Sequence, residues 1–118
     1  MSPDTWFPVA GALLTCSIGL VGVLAPRRLL TATRLEFLEG YAITEARSTF
    51  GLMLLALGGI PLLTGEPAAY LTAGAAWLGA AAGRLASLLA DGHTDSHNLL
   101  GLVVQAFIGL LLLYPQSG

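Results

Sequence analysis

Charge is confined to a few short patches of this 118-residue chain, and that placement restricts the fold more than any other feature. Acidic, basic and histidine residues occur at position 4, from 27 to 47, at 66, and from 84 to 97. The uncharged stretches between and after them, residues 5–26, 48–65, 67–83 and 98–118, are 22, 18, 17 and 21 residues long. A bilayer core about 30 Å thick calls for roughly 20 apolar helical residues, with about 17 to 25 tolerated. Inside lipid every backbone N–H and C=O must pair within its own segment, so stretches of this kind are expected as helices. The expected architecture is all-α, a transmembrane four-helix bundle forming one membrane domain, with spans near 6–25, 44–64, 68–90 and 97–114.

Composition agrees. Hydrophobic residues make up 55% of the chain and charged residues 10%, against roughly 25% charged in an average soluble domain. A disordered chain needs the opposite balance, and a soluble globule would have too few charges to cover its surface. Five Arg, no Lys and a net charge of -2 leave no basic footprint for nucleic acid. One cysteine, Cys16, excludes an internal disulfide and a cysteine metal cluster.

The punctuation marks the same spans. Pro26 stops the first and Pro115 closes the last. Gly65-Glu66-Pro67 is a three-residue turn, which makes spans two and three antiparallel neighbours. Asp91-Gly92 ends span three, and Asp95 or Ser96 is placed to cap span four. Gly58-Gly59 followed by Pro61 predicts a bend near the end of span two. The first four residues are acidic rather than basic, and Arg27 and Arg28 follow the apolar run. That order is wrong for a cleaved signal peptide, so a retained span is expected.

Four spans put both termini on one side. Arg27, Arg28, Arg34, Arg47 and Arg84 all belong to the other, which the positive-inside rule assigns to the cytoplasm. The expected location is a multi-pass protein of the bacterial inner membrane with both termini periplasmic. Trp6, Tyr70 and Tyr114 then fall at the outer boundary, and Phe37 and Tyr41 at the inner one. Residues 27–41 alternate basic, apolar and acidic types. They read as an amphipathic stretch at the headgroups, with a docking surface for a cytoplasmic partner as the alternative.

Charges near or within a span are costly and suggest a function or a structural pairing. Glu45, Arg47, Arg84 and Asp91 all lie at the cytoplasmic ends of spans two and three. Two readings stand: a structural clasp of ion pairs, or a functional site, either for an anionic headgroup or small acid or as a proton-accessible cup. His93, Asp95 and His97, with Asp91, offer metal-ligand chemistry at alternate positions, but their spacing matches no established site. A solvated turn is preferred, and no metal or other cofactor is expected. Small residues recur every four positions at Ala75, Gly79, Gly83 and Ser87 on span three. Gly101, Gln105 and Gly109 do so on span four, and such stripes allow close helix packing. Gln105, near mid-membrane, is expected to hydrogen-bond across helices. Trp77, on an alanine-rich helix, reads as filling a gap between helices, with contact to a bound lipid, quinone or pigment as the alternative. No catalytic fingerprint or nucleophile constellation is present in the sequence, so a non-enzymatic role is expected.

Thr44-Glu45-Ala46-Arg47-Ser48-Thr49-Phe50-Gly51, followed by Gly83-Arg84 and Asp91-Gly92, resembles an uncharacterised group of small bacterial four-helix membrane proteins. That group carries Glu-x-Arg, then an aromatic and a glycine pair in its second helix, and Gly-Arg and Asp-Gly at the end of its third. Gly51-Leu52 stands here where the group usually has two glycines. The resemblance implies a bacterial origin and points to Glu45, Arg47, Arg84 and Asp91. In size and helix count the chain is also remotely similar to DoxX-type membrane proteins. The expected function is that of an interaction or accessory subunit of a membrane complex. The alternative is a binder or carrier of a lipid, quinone or anion using the cytoplasmic-side Glu/Arg cluster. Membrane lipid and a membrane-protein partner or second copy are the expected partners.

Overall fold

The structure, a computed structural model, describes residues 3–32, 43–44, 46–92 and 96–115. Those residues form helices and turns, with no strand among them. The helices are α1 (Pro3–Leu24), α2 (Pro26–Ala32), α3 (Met53–Thr64), α4 (Pro67–Asp91) and α5 (Ser96–Leu113), and a π-helical turn, Ser48–Leu52, leads into α3. Arg34, Phe37, Tyr41, Glu45, His93 and Asp95 lie outside the described residues, as do the side chains of Asp91 and His97.

Local chemistry sets the boundaries. Pro26 disfavours helical backbone at Ala25, and α1 ends there. The Ala25 N–H donates to the Val21 carbonyl at 2.8 Å and the Ala25 carbonyl accepts the Leu29 N–H at 3.1 Å, so α2 starts after a break of one residue. Gly65 and Gly92 close α3 and α4 in the left-handed region, at φ 66° and 75°. Their N–H groups donate to Pro61 and Leu88 at 2.7 and 3.1 Å, which satisfies carbonyls left open at a helix end. Pro67 then opens α4 at its first position, where no N–H is needed. The α-helix Met53–Thr64 runs through Pro61 without interruption. The irregular turn falls instead at Ser48–Leu52, where the Met53 N–H reaches back to the Ser48 carbonyl.

Four helices pack in the cyclic order α1, α3, α4, α5, each against its two neighbours, and each runs antiparallel to the next. α1 approaches α3 backbone to backbone. A methyl at Gly19 would stand 2.6 Å from the Leu55 nitrogen, and one at Gly22 would collide with the Phe50 carbonyl. Gly74 and Gly109 form the matching crossing of α4 and α5. Ala12, Tyr70, Ala73, Trp77, Ile108 and Leu112 make one apolar cluster toward the chain ends. Leu29, Leu30 and Ala46 make a smaller one at the far end. Tyr70 faces this core, whereas Trp6 is exposed.

Two helical stretches, Asp4–Leu24 and Pro67–Ala90, are long and apolar enough to cross a membrane, and two shorter apolar ones, Ser48–Thr64 and Asn98–Leu113, accompany them.

Candidate functional site

Between the two apolar clusters lies a cavity of about 570 Å³, within the usual range of about 300–1,000 Å³ for small-molecule sites. Its walls follow helical spacing. Phe50, Met53, Leu54 and Leu57 present one stripe, Ala76, Ala80 and Arg84 a second on α4, and Gly101, Val104 and Gln105 a third on α5. Leu29 and Ala32 of α2 close the end, and Ile18 and Trp77 form the floor. The space exists because α4 and α5 contribute small residues opposite large ones. Tight pairing of α4 with α5 and sparse packing of α4 against α3 leave it unfilled.

Trp77 is held rigidly. Its indole N–H donates to the Thr15 hydroxyl at 2.9 Å, and that hydroxyl donates to the Gly11 carbonyl at 2.8 Å. Thr15 is fully buried and Trp77 is 8% exposed, so a buried polar relay links α1 to α4 across the bundle axis. It leaves one flank of the indole toward the cavity.

Arg84 supplies the cavity's charge. Its Nε donates to Gln105 Oε1 at 3.0 Å, and Nη1 to Asn98 Oδ1 at 2.7 Å. The guanidinium lies over Gly101, where an added methyl would stand 2.9 Å from Cζ. Gln105, Gly101 and Asn98 occur at helical spacing on α5, so one face of that helix seats the whole group. Its partners among the described residues are neutral amides, which orient the cation without neutralising it. A guanidinium has five N–H donors in a planar fork, and these two bonds use two of them. The arrangement fits an acceptor or anion carried on an apolar body.

Of the residues singled out by sequence, Arg84, Gly101 and Gln105 come together here. Gly109 packs against Leu78 and Gly74 of α4. Gly79 and Gly83 point away from the bundle, and a methyl at either would meet nothing within 4 Å. Arg47 is exposed and lines a different pocket, with Arg27 and Arg28. Glu45, His93 and Asp95 belong to the undescribed set. No group of three or more His, Cys, Asp or Glu among the described residues is arranged to hold a metal ion. Sequence reasoning missed Asn98 and Thr15 as partners. The signal for Asn98 was its place seven residues before Gln105, two turns along the same face.

Comparison with models of known families, with characterised proteins and with solved structures finds no match to this chain.

Proposed function

We infer that the chain is a polytopic membrane protein of four spans that binds a small amphiphile in the cavity between its helices. Three properties support the membrane setting. Residues 46–64 are helical throughout, about 28 Å at about 1.5 Å per residue, and the 18 residues of α5 give about 27 Å. Both lengths approach the bilayer core. Large apolar side chains point outward on every span, up to Leu63 at 85% exposure. Only 33% and 28% of the most apolar windows of α1 and α4 are buried, whereas a soluble core helix hides most of such a window. The arginine distribution favours both termini on the side away from the cytoplasm, which is the periplasm if the bacterial origin implied by the resemblance holds.

The binding reading is carried by one observation: a guanidinium paired with neutral amides in the wall of an apolar cavity. A quinone carbonyl, or the carboxylate or phosphate of a single-chain lipid, complements that donor, while its hydrocarbon part fills the space toward Trp77. Arg84 lies seven residues before the end of α4, about 10 Å by helical rise. That depth suits a ligand whose polar end sits near the headgroups.

Trp77 is a built-in reporter, because Trp6 is the only other tryptophan. In the Trp6→Phe background, in uncharged detergent, a short-chain quinone and a brominated fatty acid are titrated against Trp77 emission. Saturable quenching by one of them is expected, weakened roughly tenfold or more by Arg84→Gln, the value of one charge-assisted hydrogen bond. Unsaturable quenching that is identical in Arg84→Gln refutes the reading.

The exposed face of α4 favours a second reading, an accessory subunit or self-associating bundle. Ala75, Gly79 and Gly83 leave an open shallow surface on which another helix backbone could approach closely. Stoichiometric co-purification with a larger complex, with no small molecule retained, is the result that selects it.

A further inference from the structure

We propose that the pocket between Arg27, Arg28 and Arg47 binds the phosphate of an anionic lipid headgroup, at a site separate from the central cavity. The fold, not the sequence order, assembles these cations. Arg27 and Arg28 stand in the first turn of α2, and Arg47 immediately precedes the π-helical turn leading into α3. Together they line a concavity of about 480 Å³ with Leu24, Ala25, Pro26 and Ile43. All three arginines are exposed. The charged residues among the described lining are all arginines, and Arg28 and Arg47 bring two exposed guanidinium groups to one space. The guanidinium fork matches phosphate oxygens bidentately and remains charged at any physiological pH.

The surroundings select the source of that phosphate. Leu24 lines the pocket and is also 73% exposed. Leu20, one turn earlier on the same face, is exposed as well. An apolar strip of α1 therefore runs up to the rim of the cationic pocket. A free phosphate would leave that strip unused, whereas a phospholipid places its headgroup among the arginines and an acyl chain along Leu24 and Leu20. Basic pockets at the cytoplasmic ends of spans suit anionic headgroups for this reason. The proposal rests on the membrane setting inferred above, but not on occupancy of the central cavity.

The test uses the full chain in uncharged detergent, titrated with dioleoyl-phosphatidylglycerol or dioleoyl-phosphatidylcholine, with bound lipid counted by native mass spectrometry. Arg28 and Arg47 are the positions to change, since Arg27 takes part in a further interaction within the chain. Phosphatidylglycerol is expected to bind at least roughly tenfold more tightly than phosphatidylcholine, with the preference lost in R28Q/R47Q and partly kept in R28K/R47K. Arg84→Gln, which alters only the central cavity, is expected to keep it, so failure of this site and failure of the cavity reading are read separately. Millimolar inorganic phosphate forms a third arm. If it binds while the two lipids are indistinguishable, the lipid source is overturned in favour of a soluble phosphate. If R28Q/R47Q retains the natural preference with unchanged Trp77 emission, the site itself is overturned.

Discussion

A methyl group added at Gly101 would stand 2.9 Å from Cζ of Arg84, 3.0 Å from Nη1 and 3.2 Å from Nε. Unstrained contacts between such atoms lie near 3.5–4.0 Å, so in Gly101→Ala the guanidinium must lift by roughly half an ångström or more. Its bonds to Gln105 and Asn98, now 3.0 and 2.7 Å, then stretch toward the limit of about 3.2 Å for a sound N–H···O bond. Losing one charge-assisted bond costs about 1.5–3 kcal/mol. Alanine in place of an interior helical glycine returns about 1 kcal/mol. The expected net loss of stability is about 0.5–2 kcal/mol, within the reach of a flexible side chain to relax. The cavity, by contrast, loses its positioned cation. Binding of the quinone or fatty-acid probe is expected to weaken by roughly tenfold, equivalent to about 1.4 kcal/mol. The assay is the Trp77 titration in the Trp6→Phe background, run beside denaturation in mixed detergent. Unchanged probe affinity together with the predicted small stability change would refute the assignment of Arg84, as seated by Gly101, to the site.

Two further predictions concern packing. Thr15→Val leaves the Trp77 indole N–H buried without its acceptor. A double-mutant cycle with Trp77→Phe is expected to give a coupling of about 0.6–1.7 kcal/mol, the range found for hydrogen bonds between membrane helices, and strict additivity would contradict the relay. Gly22→Ala drives a methyl into the Phe50 carbonyl and is expected to destabilise by about 1–3 kcal/mol or more. Gly83→Ala meets open space and should be neutral or stabilising by up to about 1 kcal/mol. Equal effects of these two substitutions in the same denaturation assay would overturn the described pairing of α1 with α3.

The helical character of this chain and most of its turns were legible in the sequence because both are local. Pro26, Gly65-Glu66-Pro67 and Gly92 act through backbone geometry within a few residues. The four uncharged stretches reflect a length and a polarity that no distant contact changes. The rotation of each helix about its axis was not legible. On α4 the small residues Gly74, Ala75, Gly79 and Gly83 spread over two faces. The sequence stripe Ala75-Gly79-Gly83 looks like a packing surface, yet Gly74 meets Gly109, whereas Gly79 and Gly83 point outward. Large apolar side chains lie on the outward faces as well as the inward ones, so hydrophobicity does not say which face turns inward.

The polar groups divide in the same way. Gln105 and Arg84 stood out as polar residues in or near apolar stretches, and their rarity alone marked them. That they bond one another, and that Asn98 shares the cation, depends on the antiparallel register of α4 and α5. The convergence of Arg27, Arg28 and Arg47 needs the close approach of α1 to the π-helical turn, which glycines at 19, 22 and 51 permit.

By itself, then, the sequence determined helices, their turns and the confinement of charge to a few short patches of the chain, because chain length, glycine and proline geometry and desolvation of charge operate locally. Only the tertiary structure decided where empty space remains and which cations border it. Both depend on how far apart four helices settle once their smallest residues have met.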